Sequence, residues 1–106
     1  MQTVSSWFLS QIRHAHSLSK NSYDVLLVVD TVASLGGVPF FADKWKVDVV
    51  YTGTQKILGA PPGLAPISFG PRAMAKVHAR NTKPRVYYWD INLLAEYWAC
   101  TDKPRM

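Results

Sequence analysis

Three short apolar segments, separated by stretches that contain glycine and proline, predict the β-strands of this chain. Residues Val25–Val29 form a continuous run rich in β-branched side chains, which is typical of a strand buried on both faces of a parallel sheet. Two further strands are predicted at Asp48–Thr52 and Leu64–Phe69. Between them, Gly59–Gly63 must be a loop, because its two adjacent prolines cannot donate ladder hydrogen bonds.

Helical segments are predicted before, between and after the strands, so we expect an α/β fold. Pro71 can open a helix, because its missing N–H costs nothing in the first turn. Asp90 can cap a later helix, since its carboxylate can accept from the unpaired N–H groups of the first turn. The predicted segments are an amphipathic helix carrying Trp7, Phe8, Leu9 and Ile12, a short helical turn within Phe40–Trp45, a helix from Pro71 to about Arg80, an extended stretch at Val86–Trp89, and a helix from Asp90 through Trp98.

Composition and charge narrow the class of protein. Of the 106 residues, 48% are hydrophobic and 12% aromatic, which is too apolar for a disordered chain. No stretch approaches the roughly 20 apolar residues that cross a bilayer, so no membrane-spanning segment is expected. The net charge is only +5, and we expect the basic residues to form a solvated helix face rather than a nucleic-acid-binding patch. The densest group of them is Arg72, Lys76, Arg80, Lys83 and Arg85.

Residues 1–23 differ in composition from the rest of the chain. They contain no acidic residue and six serines, and mitochondrial transit peptides share this composition. The same residues also fit an ordinary amphipathic helix, which is the interpretation we favour. His14 and His16 are two positions apart and would point to different faces of that helix, so no metal site is expected.

Polar residues that could take part in binding or catalysis follow the first two predicted strands. Asp30 ends the first strand, and Thr52–Lys56 follow the second. Because ligands of open α/β sheets bind outside the carboxyl ends of parallel strands, these groups are expected along the sheet edge where a ligand would bind. A lysine amine can form a Schiff base with a carbonyl, and a carboxylate can hold a protonated heterocyclic nitrogen. That pair suits pyridoxal phosphate, whereas the sequence has neither a Gly-x-Gly-x-x-Gly nor a Gly-Lys-Ser/Thr nucleotide loop.

The segments around these residues closely resemble a known family. Val28–Gly37, Tyr51–Lys56 and Ala60–Gly63, in that order, are similar to the alanine–glyoxylate (serine–pyruvate) aminotransferases, which are class V pyridoxal-phosphate enzymes of fold type I. The resemblance covers roughly residues 24–106. The 3-hydroxykynurenine transaminases share the same motifs, and Asp43–Trp45 is similar to that branch.

The resemblance implies a role for four residues toward pyridoxal 5′-phosphate. Lys56 would form the Schiff base with the cofactor and later move the proton at the substrate α-carbon. Asp30 would pair with the protonated pyridine nitrogen. Val32 would pack against a face of the ring, and Gln55 would reach the cofactor phosphate. Lys56 is therefore the expected catalytic residue, and all four are expected to bind the cofactor.

The resemblance also implies a larger setting for this chain. Members of the family are several times longer, so residues 24–106 are expected to be part of the large cofactor-binding domain, a mostly parallel sheet with covering helices. Residues 1–23 are then a divergent N-terminal segment, and the C-terminal small domain is absent from the sequence given. We expect this stretch alone to be inactive.

The implied activity moves an amino group from alanine or serine to glyoxylate or pyruvate. The expected partners are therefore small-molecule amino acids and 2-oxo acids. The complete protein is expected to be a homodimer. No nucleic acid or membrane is expected to bind. Two alternatives remain: transamination of 3-hydroxykynurenine, and a non-catalytic remnant that serves as an interaction module. The family is chiefly peroxisomal, so that compartment is expected, with the mitochondrion as the alternative.

The two interpretations of residues 1–23 make different predictions for a reporter fusion. Fused to the N-terminus of a fluorescent protein, a transit peptide directs the reporter to mitochondria, whereas a segment of an ordinary helix leaves it diffuse. We expect a diffuse signal by fluorescence microscopy. Mitochondrial fluorescence would contradict the favoured interpretation.

Overall fold

The computed structural model describes residues 10–12, 14–15, 17 and 24–100. The described residues between positions 10 and 17 are helical, and Ile12 is buried, as its place in the apolar stripe predicts. The other members of the stripe, Trp7, Phe8 and Leu9, lie outside the described residues, as does His16. In the part of the chain that is described, no helix has the length and apolar character needed to cross a membrane.

The chain divides into two compact units, Met1–Met74 and Ala75–Met106. The first unit contains a three-stranded sheet in the order β1 (Val28–Asp30), β2 (Val49–Tyr51), β3 (Ile67–Phe69). All three lie within or one residue beyond the segments where strands are predicted.

The sheet is mixed rather than mostly parallel. Strands β1 and β2 are parallel, with Val28 opposite Val49 and Asp30 opposite Tyr51. Strands β2 and β3 are antiparallel, with Tyr51 opposite Ile67. Neither connection contains a helix: residues 31–48 link the parallel pair and residues 52–66 link the antiparallel pair through turns and loops. The α/β class is confirmed, with an antiparallel strand at one edge.

The apolar run before Asp30 is less buried than its sequence predicts. Val25 and Val28 are 51% and 55% exposed, whereas Val29 is buried. Strand β1 lies at the edge of the sheet, so only one strand flanks it. The strand itself is present with one buried face, and burial on both faces within a larger sheet stays a prediction.

The helices begin where the sequence predicts. Helix α1 spans Pro71–His78, and helix α2 spans Ile91–Tyr97. Asp90 caps α2, with its carboxylate accepting a hydrogen bond from the Asn92 N–H at 3.0 Å. The predicted turn within Phe40–Trp45 is also present, since the Trp45 N–H donates to the carbonyl of Phe41 at 3.0 Å.

The stretch before α2 differs from its prediction. Tyr87–Trp89 forms a 3-10 turn rather than an extended segment. The N–H groups of Trp89 and Asp90 each donate to a carbonyl three residues earlier, on Val86 and Tyr87, at 3.0 Å. These local hydrogen bonds wind the chain one turn before the helix and override the extended preference of aromatic residues.

A buried carboxylate joins the elements of the first unit. Asp48 is only 7% exposed, and its Oδ2 accepts from the Leu27 N–H at 2.7 Å. The guanidinium of Arg72 donates to both carboxylate oxygens at 2.9 Å and also to the carbonyl of Val25. Asp48 thereby connects the entry to β1, the entry to β2 and the first turn of α1.

The sequence predicts a solvated basic helix face that includes Arg72. In the structure, Arg72 also pairs with the buried Asp48, so it does not lie on a purely solvated face. Its hydrogen bond to Asp48 is the main cause of a raised pKa of the Arg72 guanidinium. The geometry is that of a two-point guanidinium–carboxylate pair, in which both partners are fixed in orientation.

Replacing Asp48 tests this connection. We expect Asp48→Ala to lower the free energy of unfolding by about 3 kcal/mol, because it leaves the Leu27 N–H and the Arg72 guanidinium without their acceptor. The measurement is urea denaturation of the complete polypeptide that contains this chain. Asp43→Ala, which removes an exposed carboxylate nearby, is the matched control and should change stability by less than about 0.5 kcal/mol. Equal effects of the two substitutions would contradict the account.

Candidate active site

Asp30 lies at the carboxyl end of β1, and both oxygens of its side chain are held by donors. Its Oδ1 accepts a hydrogen bond from the Val32 N–H at 2.8 Å. Its Oδ2 accepts from the hydroxyl of Tyr51 at 2.9 Å. The side chain is nevertheless exposed, so a ligand at this edge of the sheet can reach the carboxylate.

Tyr51 ends β2 directly opposite Asp30. The pKa of its phenol is raised, first because the hydroxyl donates to Asp30, and further by burial and by the negative charge of that carboxylate. Sequence reasoning treated Tyr51 only as part of a strand and of a family motif. Its place beside Asp30 follows from the register of β1 and β2, which the sequence pattern does not encode.

Two buried threonines join the strand ends. The backbone N–H and the hydroxyl of Thr31 both donate to the carbonyl of Tyr51, at 2.9 and 2.8 Å. The hydroxyl of Thr52 donates in return to the carbonyl of Thr31 at 3.2 Å. Thr31 is only 1% exposed. These hydrogen bonds extend the parallel pairing beyond β1 and β2 and keep the two strand ends side by side.

Lys56 lies in a loop whose two ends are joined by hydrogen bonds. The hydroxyl of Thr54 donates to the carbonyl of Pro61 at 2.7 Å, and the Ala60 N–H donates to the carbonyl of Thr54 at 2.9 Å. Inside this loop, the Gly59 N–H donates to the carbonyl of Lys56 at 3.0 Å. Lys56 is exposed. Its backbone is therefore held in a tight turn while its side chain is accessible.

The residue after the lysine contacts the loop that follows β1. A Cβ built on Gly37 would lie 2.5 Å from Cδ1 of Ile57, and one on Gly36 would lie 3.5 Å from its Cγ2. Gly36 also has a φ of 92°, which favours glycine. The glycine pair thus lets Ile57 approach the backbone, and this contact ties the loop of Lys56 to the loop that begins at Asp30.

The side chains of Val32 and Gln55 both lie close to Gly53. A Cβ built on Gly53 would lie 2.7 Å from Oε1 of Gln55 and 3.5 Å from Cγ1 of Val32. A side chain at this position would displace the end of Gln55, whereas Val32 lies at an ordinary contact distance. The structure therefore brings Val32 and Gln55 together beside the end of β2, with Asp30 two positions before Val32.

The groups gathered at this edge suit pyridoxal phosphate. An exposed carboxylate that can accept from a protonated ring nitrogen, an exposed amine that can bind an aldehyde, and an amide donor are the types of group that this cofactor needs. Gly53 has no Cβ where Gln55 and Val32 approach it. Among the described residues, no cluster of His, Cys, Asp or Glu could hold a metal ion.

Comparison with known proteins agrees with this chemistry. The family described as Aminotransferase class-V matches residues 7–106. The alanine–glyoxylate aminotransferase of Drosophila melanogaster is 60% identical over 84 residues, which are 79% of this chain and 21% of that protein. The enzyme of the same name from Oryctolagus cuniculus is 54% identical over the same shares. This chain thus spans about a fifth of the length of these curated relatives.

A solved structure shows the same fold. The crystal structure of alanine–glyoxylate aminotransferase from Nostoc sp. superposes with a TM-score of 0.72 at 46% identity, covering 79% of this chain and 22% of that one. The ureidoglycine–glyoxylate aminotransferase of Bacillus subtilis gives 0.71 at 38% identity, over 85% and 22%. These matches confirm the resemblance and the fold class predicted from the motifs. With nearly its whole length matched and its polar residues gathered at one sheet edge, this chain belongs to the class V aminotransferase family.

Proposed function

We propose that the protein containing this chain is a pyridoxal-phosphate-dependent aminotransferase that moves an amino group from alanine or serine to glyoxylate or pyruvate. The observation that carries the proposal is the sheet edge, where Asp30 has both carboxylate oxygens oriented and the loop of Lys56 is tied to the loop after Asp30. The names and identities of the relatives support the same activity.

Pyridoxal phosphate supplies an electron sink for the electrons of the substrate α-carbon. Lys56 provides the amine that binds this cofactor and the base that moves a proton at the substrate α-carbon. Its accessibility on a closed loop suits both roles. Asp30 holds the proton on the ring nitrogen, and its two hydrogen bonds keep the carboxylate aimed while it does so.

Val32 and Gln55 contact other parts of the cofactor in this proposal. Val32 packs against one face of the ring, where an apolar branched side chain excludes water. Gln55 donates its amide N–H to the phosphate. Gly53 supports both assignments, because the absence of its Cβ lets the two side chains approach the same space.

Glyoxylate is the favoured amino acceptor. The relatives from Drosophila melanogaster and Oryctolagus cuniculus carry alanine and glyoxylate in their names. The Bacillus subtilis relative, 33% identical, carries ureidoglycine and glyoxylate. The amino donor thus differs among these names while glyoxylate recurs, which favours glyoxylate over 3-hydroxykynurenine chemistry for this chain.

The proposal extends to assembly and compartment. The second unit exposes large aromatic side chains, with Tyr88 and Trp89 at 79% and 74%. Surfaces this apolar usually contact another part of the protein or a partner, and the homodimer of the complete protein is proposed from the family resemblance. The peroxisome, with the mitochondrion as the alternative, is proposed from the family resemblance.

Replacing the lysine tests the catalytic assignment. In the complete polypeptide loaded with pyridoxal phosphate, we expect Lys56→Ala to abolish the visible absorbance of the Schiff base, because the substitution removes the amine that binds the cofactor. Borohydride reduction of the unsubstituted protein, followed by peptide mass spectrometry, should place the cofactor on Lys56. Lys83→Ala, at another exposed lysine, is the matched control and should keep the band. An unchanged band in Lys56→Ala would overturn the assignment.

A further inference from the structure

We propose that Tyr51 is a positioning residue for Asp30: its hydroxyl holds one carboxylate oxygen so that the remaining acceptor sites of Asp30 face the ring nitrogen of the cofactor. The inference rests on the proposed function, because it concerns how Asp30 meets that cofactor. It assigns a task to a side chain that the sequence motifs leave without one.

The carboxylate of Asp30 needs two fixed points. The torsion that rotates a carboxylate is broad, so a single hydrogen bond leaves the group free to swing. The Val32 N–H fixes Oδ1 at 2.8 Å, and the hydroxyl of Tyr51 fixes Oδ2 at 2.9 Å. With both oxygens held, the plane of the carboxylate is set before any ligand arrives.

The sheet brings the hydroxyl to Asp30. Asp30 and Tyr51 are directly opposite each other in the parallel pair, where neighbouring strands are about 4.8 Å apart. The two hydrogen bonds from Thr31 to the carbonyl of Tyr51 keep this register at the strand ends. Tyr51 can therefore reach Asp30 with its hydroxyl without any change in the backbone.

The arrangement leaves room for a ligand. An ionised carboxylate offers about four acceptor sites, and the two protein donors use one on each oxygen of Asp30. The sites that remain can accept the N–H of a protonated pyridine ring. Tyr51 is 37% exposed, so its hydroxyl is accessible from the same side as the exposed Asp30.

The charges near Tyr51 favour a protonated hydroxyl that can donate to Asp30. Across the neighbouring strands, Tyr51 faces Asp30 on β1 and the uncharged Ile67 on β3. The raised pKa of the phenol, caused chiefly by its hydrogen bond to Asp30, keeps the hydroxyl protonated throughout the neutral range.

Cofactor binding tests the proposal in the complete polypeptide. Freed of cofactor and titrated with pyridoxal phosphate, Tyr51→Phe should bind about tenfold more weakly than the unsubstituted protein, since binding must then also fix the orientation of the Asp30 carboxylate. Fluorescence quenching measures the dissociation constant. Tyr88→Phe removes a hydroxyl from an exposed tyrosine and should bind as the unsubstituted protein does. A cooperative thermal unfolding transition shows that each variant is folded.

A second readout needs no cofactor. Ultraviolet titration of the phenols should show a transition above the usual pKa of about 10 that moves down in Asp30→Asn, because the acceptor and its charge are weakened. This titration decides the matter if Tyr51→Phe does not fold. No movement in Asp30→Asn would overturn the pairing in solution.

The outcomes separate the two proposals. If the unsubstituted protein binds pyridoxal phosphate and Tyr51→Phe binds it equally well, the role of Tyr51 is overturned and the proposed function stands. If the unsubstituted protein does not bind the cofactor, the proposed function and the role of Tyr51 toward the cofactor are both overturned, whatever the phenol titration shows. Weaker binding in Tyr51→Phe together with the downward shift in Asp30→Asn supports the inference.

Discussion

The carboxylate of Asp48 is the constraint on which the sheet edge depends. It is buried, and it accepts hydrogen bonds from the backbone before β1 and from Arg72 at the start of α1. A buried charge is tolerated only when such partners surround it, so the loss of either partner would destabilise the carboxylate where it lies. They fix where β1 and β2 enter the sheet. Once Val28 lies opposite Val49, the pairing of Asp30 with Tyr51 two residues later follows from the register.

Hydrogen bonds and packing beyond the strand ends hold the loops that follow β1 and β2 in place. Thr31 and Thr52 continue the hydrogen bonding past the last paired residues, and Ile57 packs against the backbone of Gly36 and Gly37. Asp30 and Lys56 are thus 26 positions apart in the sequence, yet they belong to loops that contact each other. A binding site built in this way depends on a rigid scaffold at its base, which short strands alone would not provide.

Local sequence signals predicted part of this structure well. Asp30 and Lys56 stand out because each follows an apolar segment, and the helix starts at Pro71 and Asp90 follow from capping chemistry that involves neighbouring residues only. The ion pair of Asp48 with Arg72 joins residues 24 positions apart, and the hydrogen bond of Tyr51 to Asp30 joins residues 21 apart. Neither can be predicted without the register of the strands. The exposure of Val28 and the antiparallel position of β3 likewise depend on which strands are neighbours, which an apolar pattern does not encode.

The central claim is that Asp30 and Lys56 hold opposite ends of one pyridoxal phosphate. A crystal structure of the complete polypeptide with this cofactor tests it most directly. The account predicts the ring nitrogen within about 3 Å of a carboxylate oxygen of Asp30, as a hydrogen bond requires, and a covalent bond between Nζ of Lys56 and the cofactor. A cofactor joined to a different lysine, or a ring nitrogen beyond hydrogen-bonding distance of Asp30, would contradict it.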